Sequence, residues 1–236
     1  MSNRKDRRAQ LAREMRLRQE TARRRRRRLV TSSLVAALLL VAGMIGFAAY
    51  AAQQPGNVKA PTAASAQPTG LTVGHGPVTV DLYVDLMCPI CKAYEQQAGP
   101  VLDNYVKEGR ITLVYHPLNI LDDNSTTQYS TRAGAAVAAA ADQGKLVQYL
   151  EALYKAQPPE QSAGLTDAQL IEIGRSVGIT SDQFANAVNS GKYRDWITYV
   201  TSKADERGVQ GTPTVFVDGH QIDNTVTALE TAVDAG

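Results

Sequence analysis

Twenty-four consecutive residues, Leu29–Ala52, carry no charged side chain, and they follow directly on six arginines, Arg23–Arg28. As a helix the run would reach about 36 Å, enough to cross a hydrocarbon layer of about 30 Å with some tilt. Basic residues beside a span are retained on the cytoplasmic side, so residues 1–28 are expected inside and everything after Ala52 outside. This predicts a single-pass chain with a cytoplasmic N-terminus. Ala49-Tyr50-Ala51 also fits a small-x-small cleavage pattern, but the apolar run exceeds the usual 7 to 15 or so residues of a secretory signal. A retained anchor is the favoured reading.

The net charge of +2 hides a division. Residues 1–28 hold 13 basic and 3 acidic side chains, or +10, and the remainder holds 12 basic and 20 acidic, or −8. A basic arm beside an apolar span suits attraction to anionic lipid and is not read as a nucleic-acid site. Residues 53–70, QQPGNVKAPTAASAQPTG, offer little to bury and are expected to form an extended, mobile linker. The folded domain is then expected over residues 71–236, and a second full domain is not expected at this length.

Within that domain, Val78, Val80, Leu82 and Val84 alternate with Thr79, Asp81, Tyr83 and Asp85, the period of a strand over 77–85. A helix follows from Pro89 to about Glu108, with Pro100 expected to kink it, and a strand from Arg110 to Tyr115. Between Leu121 and Gly208 the pattern is helical in five pieces: 126–143, 145–157, 166–177, 181–190 and 193–207. Thr166 and Gln169 form a capping box before the third. A strand at 214–217, a turn at Asp218-Gly219 and a helix over 225–233 close the chain. The predicted class is α/β, with a helical subdomain inserted between the strands.

The chain has two cysteines, Cys88 and Cys91, at Cys-x-x-Cys spacing where the first strand gives way to the first helix. At a helix N-terminus the Cys88 thiolate would be stabilised by unpaired N–H groups and the positive end of the helix dipole. Cys91, one turn on, could then resolve a mixed disulfide at Cys88, a cycle that needs no cofactor. Three alternatives stay open. A static disulfide closing so short a loop would stabilise little. A zinc site would need further ligands beyond His75, His116 or His220, and no second pair has zinc-like spacing. A redox-silent module that only binds peptides is the third.

The strand ending in Asp85-Leu86-Met87, the run Cys88-Pro89-Ile90-Cys91 opening a helix, and Gly211-Thr212-Pro213-Thr214 before a later strand resemble the DsbA-like branch of the thioredoxin superfamily over residues 71–236. The resemblance implies a thioredoxin-like fold whose helical subdomain occupies about 121–208. It implies an active-site motif that includes Pro89 and Ile90, a cis Pro213 facing the cysteines, and Thr212 as a backbone contact for extended substrate. It also implies exported proteins with thiols or disulfides as substrates; a membrane anchor fits an oxidase recharged by a membrane redox partner and equally a reductase or isomerase fed by electrons crossing the membrane. Two positions depart from the family pattern. Leu82 stands where many relatives carry a buried acid six residues before the first cysteine, with Asp85 as a poor substitute. Ile90 stands where the strongly oxidising relative has histidine, which implies a less oxidising pair.

Overall fold

The computed structural model describes Gly43, Met44, residues 58–64 and residues 68–236. The basic tail 1–28 and all but two residues of the expected membrane span 29–52 lie outside the described residues. Among the described residues no helix is long and apolar enough to cross a membrane.

Five strands form one sheet: β1 (Leu71–Gly74), β2 (Val78–Val84), β3 (Ile111–Pro117), β4 (Thr214–Val217) and β5 (His220–Ile222). Their spatial order is β1-β3-β2-β4-β5. The β2–β3 pair is parallel and requires a crossover, which α1 (Pro89–Lys107) provides. The other pairs are antiparallel. The β4–β5 hairpin turns at Asp218 and Gly219, with φ of 48° and 81°. Positive φ at both central residues matches the twist of the flanking strands.

Alternation along β2 and β3 separates two faces. Leu82 pairs with Tyr115 on the face that meets α1, whereas Asp81 and Tyr83 pair with Val114 and His116 on the other. The inserted helices are α2 (Tyr129–Ala141), α3 (Leu146–Lys155), α4 (Asp167–Ser176), α5 (Asp182–Ser190) and α6 (Arg194–Glu206), and α7 (Val226–Ala235) closes the chain. Each of the five predicted helical pieces is present. The Thr166 capping box is formed, with the Gln169 side chain returning to the Thr166 N–H at 2.8 Å. Helix α2 is almost wholly buried because its run of alanines lets α3, α5 and α6 pack close around it.

Two expectations need correction. β1 was not anticipated, because four residues without alternation carry no strand period; it forms by pairing Leu71 with Tyr115. The helix with Pro100 inside it continues to Lys107. The linker reading fails over its described part. Pro61 and Gly70 are buried, and Val58, Ala60 and Ala63 pack against the core. The Thr62 N–H donates to Asp142 at 2.6 Å, and buried Trp196 donates its indole N–H to the Pro68 carbonyl at 2.7 Å. Proline and alanine at low hydrophobic content suggested a solvated segment, yet small residues also suit a chain laid over a packed helical surface.

A chain begun at Leu71 should therefore be less stable than one begun at Asn57. Loss of the partners for Trp196 and Asp142 should lower the unfolding free energy in urea by about 1–3 kcal/mol. Equal stability would show that the segment contributes nothing.

Candidate active site

Cys88 is the N-cap of α1, with extended backbone angles (φ −72°, ψ 117°) and Pro89 at the first helical position, where the missing N–H costs nothing. Its sulfur takes the capping role otherwise filled by serine or aspartate, accepting the Cys91 N–H at 3.4 Å. Both cysteines are free thiols. Cys88 is 5% exposed and Cys91 1%, while Ile90 between them is 61% exposed and offers an apolar face to whatever approaches.

The loop before β4 meets this turn from across the sheet. The Thr212–Pro213 peptide bond is cis. The Thr212 carbonyl lies 3.4 Å from the Cys88 sulfur, in position to accept its S–H. The structure thus brings together Cys88, Pro89, Ile90, Cys91, Thr212 and Pro213, the residues that the sequence singled out.

The two thiols are driven in opposite directions. The Cys91 thiol donating to the Cys88 sulfur, helped by the Cys91 and Ile90 backbone N–H groups and the Thr212 side chain, outweighs burial and brings Cys88 down to about 6. Burial, together with the hydrogen bond to Cys88 and the charge there, holds Cys91 far above the ordinary thiol range. At neutral pH the pair is one thiolate beside one thiol: a nucleophile that is ionised but partly shielded, and a resolving group that keeps its proton until called on.

Supporting contacts fix the turn. Asp85, fully buried, accepts the Met87 N–H at 2.9 Å and the Ser130 hydroxyl at 2.6 Å on one oxygen, and the Leu121 N–H at 2.9 Å on the other. It therefore ties the end of β2 to α2 and to the β3–α2 connection. Burial pushes its carboxyl up to about 6 against the pull of these donors. Gln157, just past the end of α3, donates from its amide nitrogen to the carbonyls of Leu86 and Cys88, both at 3.0 Å. Through it the helical subdomain grips the cysteine turn directly.

Leu82 is buried beneath the sheet, as its place in β2 requires. Asp81 points to the other face and binds His116 at 2.9 Å and Arg207 at 3.0 Å. The acid that the sequence reading passed over is Glu95. It is buried on the same stripe of α1 as Cys91, accepts the Tyr115 hydroxyl at 3.3 Å on one oxygen, and has no protein partner on the other. Burial pushes it up to about 7. A charged residue four positions after Cys91, inside an apolar stripe, was the available signal. Gln157 had none, since its contact depends on how two distant helices pack. Among the described residues no group of three His, Cys, Asp or Glu side chains is placed to hold a metal ion.

The profile of the thioredoxin family matches residues 67–235. The chain belongs to the thioredoxin family. Among solved structures it is similar to oxidised DsbA of Mycobacterium tuberculosis, at 30% identity and a TM-score of 0.63, covering 70% of this chain and 91% of that one. It is also similar to the reduced disulfide oxidoreductase DsbG of Mycobacterium tuberculosis, at 30% identity and a TM-score of 0.60, covering 73% and 85%. Among curated proteins, 118 residues are 35% identical to the serine/threonine-protein kinase PknE of Mycobacterium tuberculosis. That match takes in 46% of this chain and only 21% of the kinase. A probable disulfide bond formation protein D of Bacillus anthracis is 24% identical over 161 residues, 67% of this chain and 73% of that protein.

The depressed Cys88 thiol gives a direct check. Thiolate absorbance of the reduced protein near 240 nm should rise with a midpoint near pH 6 and disappear in Cys88→Ser. A midpoint at the ordinary thiol value of about 8.5 would contradict the description of the site.

Proposed function

We propose that this thioredoxin-family chain is a membrane-anchored, extracytoplasmic thiol-disulfide oxidoreductase that forms disulfides in exported proteins. The observation that carries the chemistry is the asymmetry of the pair, a stabilised Cys88 thiolate at a helix N-cap beside a buried, protonated Cys91. In the oxidised state a substrate thiolate attacks Cys88, and Cys91 departs as the leaving sulfur. A second substrate thiol then attacks the substrate sulfur of the mixed disulfide, forming the substrate's disulfide and releasing Cys88 as thiolate. A leaving group that is stable as an anion favours this direction, because stabilising the reduced pair makes its disulfide the stronger oxidant.

The cis Thr212–Pro213 turn beside Cys88 supports the binding half of the reading. An extended substrate segment can pair with the Thr212 backbone as a strand would, so recognition would depend little on substrate sequence. The charge-free run Leu29–Ala52 after six arginines supports the anchor and its orientation, with a membrane partner reoxidising the pair. The close likeness to DsbA and to a disulfide bond formation protein supports the same direction of transfer.

The test is disulfide formation in a reduced, unfolded cysteine-containing protein. Cys88→Ser should abolish turnover, and Cys91→Ser should accumulate substrate joined to Cys88, visible as a mass increase that dithiothreitol reverses. Full activity in Cys88→Ser would overturn the mechanism. Faster reduction than oxidation of the substrate would place the chain among reductases.

A further inference from the structure

Resting on the oxidoreductase reading, we propose that Gln157 is a positioning residue for the redox pair. Its side-chain amide holds the carbonyls of the turn before α1 and keeps the Cys88 sulfur on the helix N-cap. The helical insertion thereby becomes part of what sets the reactivity of that sulfur.

The turn is held from two sides by groups of opposite kind. On the N–H side, Asp85 accepts the Met87 N–H on its carboxylate at 2.9 Å and the Cys88 N–H on its own carbonyl at 3.1 Å. On the carbonyl side, the Gln157 amide nitrogen donates to Leu86 and to Cys88, both at 3.0 Å. An amide NH2 carries two protons, and both are used here. The Cys88 carbonyl also accepts the Lys92 N–H at 3.2 Å, so Gln157 fills its second lone pair.

The direction of the Cys88 carbonyl is what fixes the sulfur against the helix. Pro89 keeps Cys88 out of the helical region but leaves its ψ a range of about 120° to 160°. The observed ψ of 117° stands at the low edge of that range. Rotation within the range turns the helix end relative to the sulfur. The 3.4 Å bond from the Cys91 N–H to the Cys88 sulfur is made at the angle that the Gln157 bond selects.

Gln157 is itself firmly mounted. Pro158 and Pro159 follow it, and a residue before proline is steered away from helical geometry, so α3 stops short of it at Lys155. The segment beyond is tied to the start of α2 and the loop before it. The Gln161 N–H donates to the Asn124 carbonyl at 2.9 Å, the Thr127 hydroxyl to the Ala163 carbonyl at 2.5 Å, and Arg132 to the Leu165 carbonyl at 2.8 Å. The residue type also matters. A carboxylate here would face two carbonyl oxygens with no proton to give, and an ammonium would set a charge beside the disulfide. The neutral amide gives the same two donors at every working pH.

The consequence falls on Cys88 as a leaving group. It departs as a thiolate each time a mixed disulfide is resolved, and a sulfur that slips from the N-cap loses the N–H that stabilises that thiolate. The reduced pair is then less favoured, and its disulfide is a weaker oxidant.

The experiment titrates the Cys88 thiolate of the reduced full-length chain in detergent by its absorbance from pH 4 to 9. The wild-type midpoint should lie near 6. Gln157→Leu removes the donors, and Gln157→Glu replaces them with a carboxylate. Each should raise the midpoint by about one pH unit and shift the equilibrium with glutathione at pH 7 about fivefold toward the oxidised pair. Thr166→Ala, which removes the cap of α4 and loosens the same insertion elsewhere, should lower the melting temperature and leave the midpoint in place. Unchanged midpoints in both Gln157 variants would overturn the proposal, and so would an equal rise in Thr166→Ala, which would mark a general loosening. If neither Gln157 variant folds, the Gln157 side-chain NH2 signals followed by NMR in the wild type decide. Movement of those signals with the Cys88 titration and again on disulfide formation supports the proposal, and constant signals overturn it. A wild type with no thiolate transition and no disulfide exchange would instead bring down the oxidoreductase reading itself.

Discussion

The sulfur of Cys88 serves as the cap of a helix, and much else in the molecule is arranged to keep it there. A thiolate in that place satisfies an otherwise unpaired N–H, accepts from the neighbouring thiol and sits at the positive end of α1. Each contribution favours the ionised form of Cys88, and the shared proton with Cys91 favours the neutral form of its partner. One geometry thus sets both reactivities.

Holding that geometry takes three separate parts of the chain. Strand β2, at the centre of the sheet, delivers Cys88 just past its C-terminal end, and Asp85 fastens the strand end to α2 and to the segment after β3. Gln157 clamps the turn from the end of α3, so the inserted helices act on the cysteines through hydrogen bonds as well as by covering them. The loop ending at Pro213 closes the far side with the Thr212 carbonyl. The 58–70 segment, where described, lies against the helical insertion and extends the packed body beyond β1.

Local chemistry made much of this legible in the sequence. Alternation exposed β2, the Thr166 capping box fixed the start of α4, and Asp218-Gly219 announced the β4–β5 turn, because each signal depends on residues close in the chain. The cysteine spacing marked the reactive turn for the same reason, whereas Pro213 was placed beside it by the family resemblance alone. What escaped depends on contacts between distant segments. β1 exists because Tyr115 is there to pair with Leu71, and Asp85 matters because Ser130 and Leu121 converge on it. Glu95 is an intermediate case: its place on the stripe of Cys91 was readable, but its single hydrogen bond and its open oxygen were not.

The most direct test of the account is the reduction potential of the Cys88–Cys91 pair, measured against glutathione buffers with a mass-shift readout of free thiols. Stabilisation of the Cys88 thiolate predicts a reversible two-electron transition well above thioredoxin's value of about −270 mV. The absence of a side-chain donor at Ile90 predicts that it falls short of about −120 mV. A potential at or below about −270 mV would contradict the claim that the Cys88 thiolate makes this pair a disulfide donor.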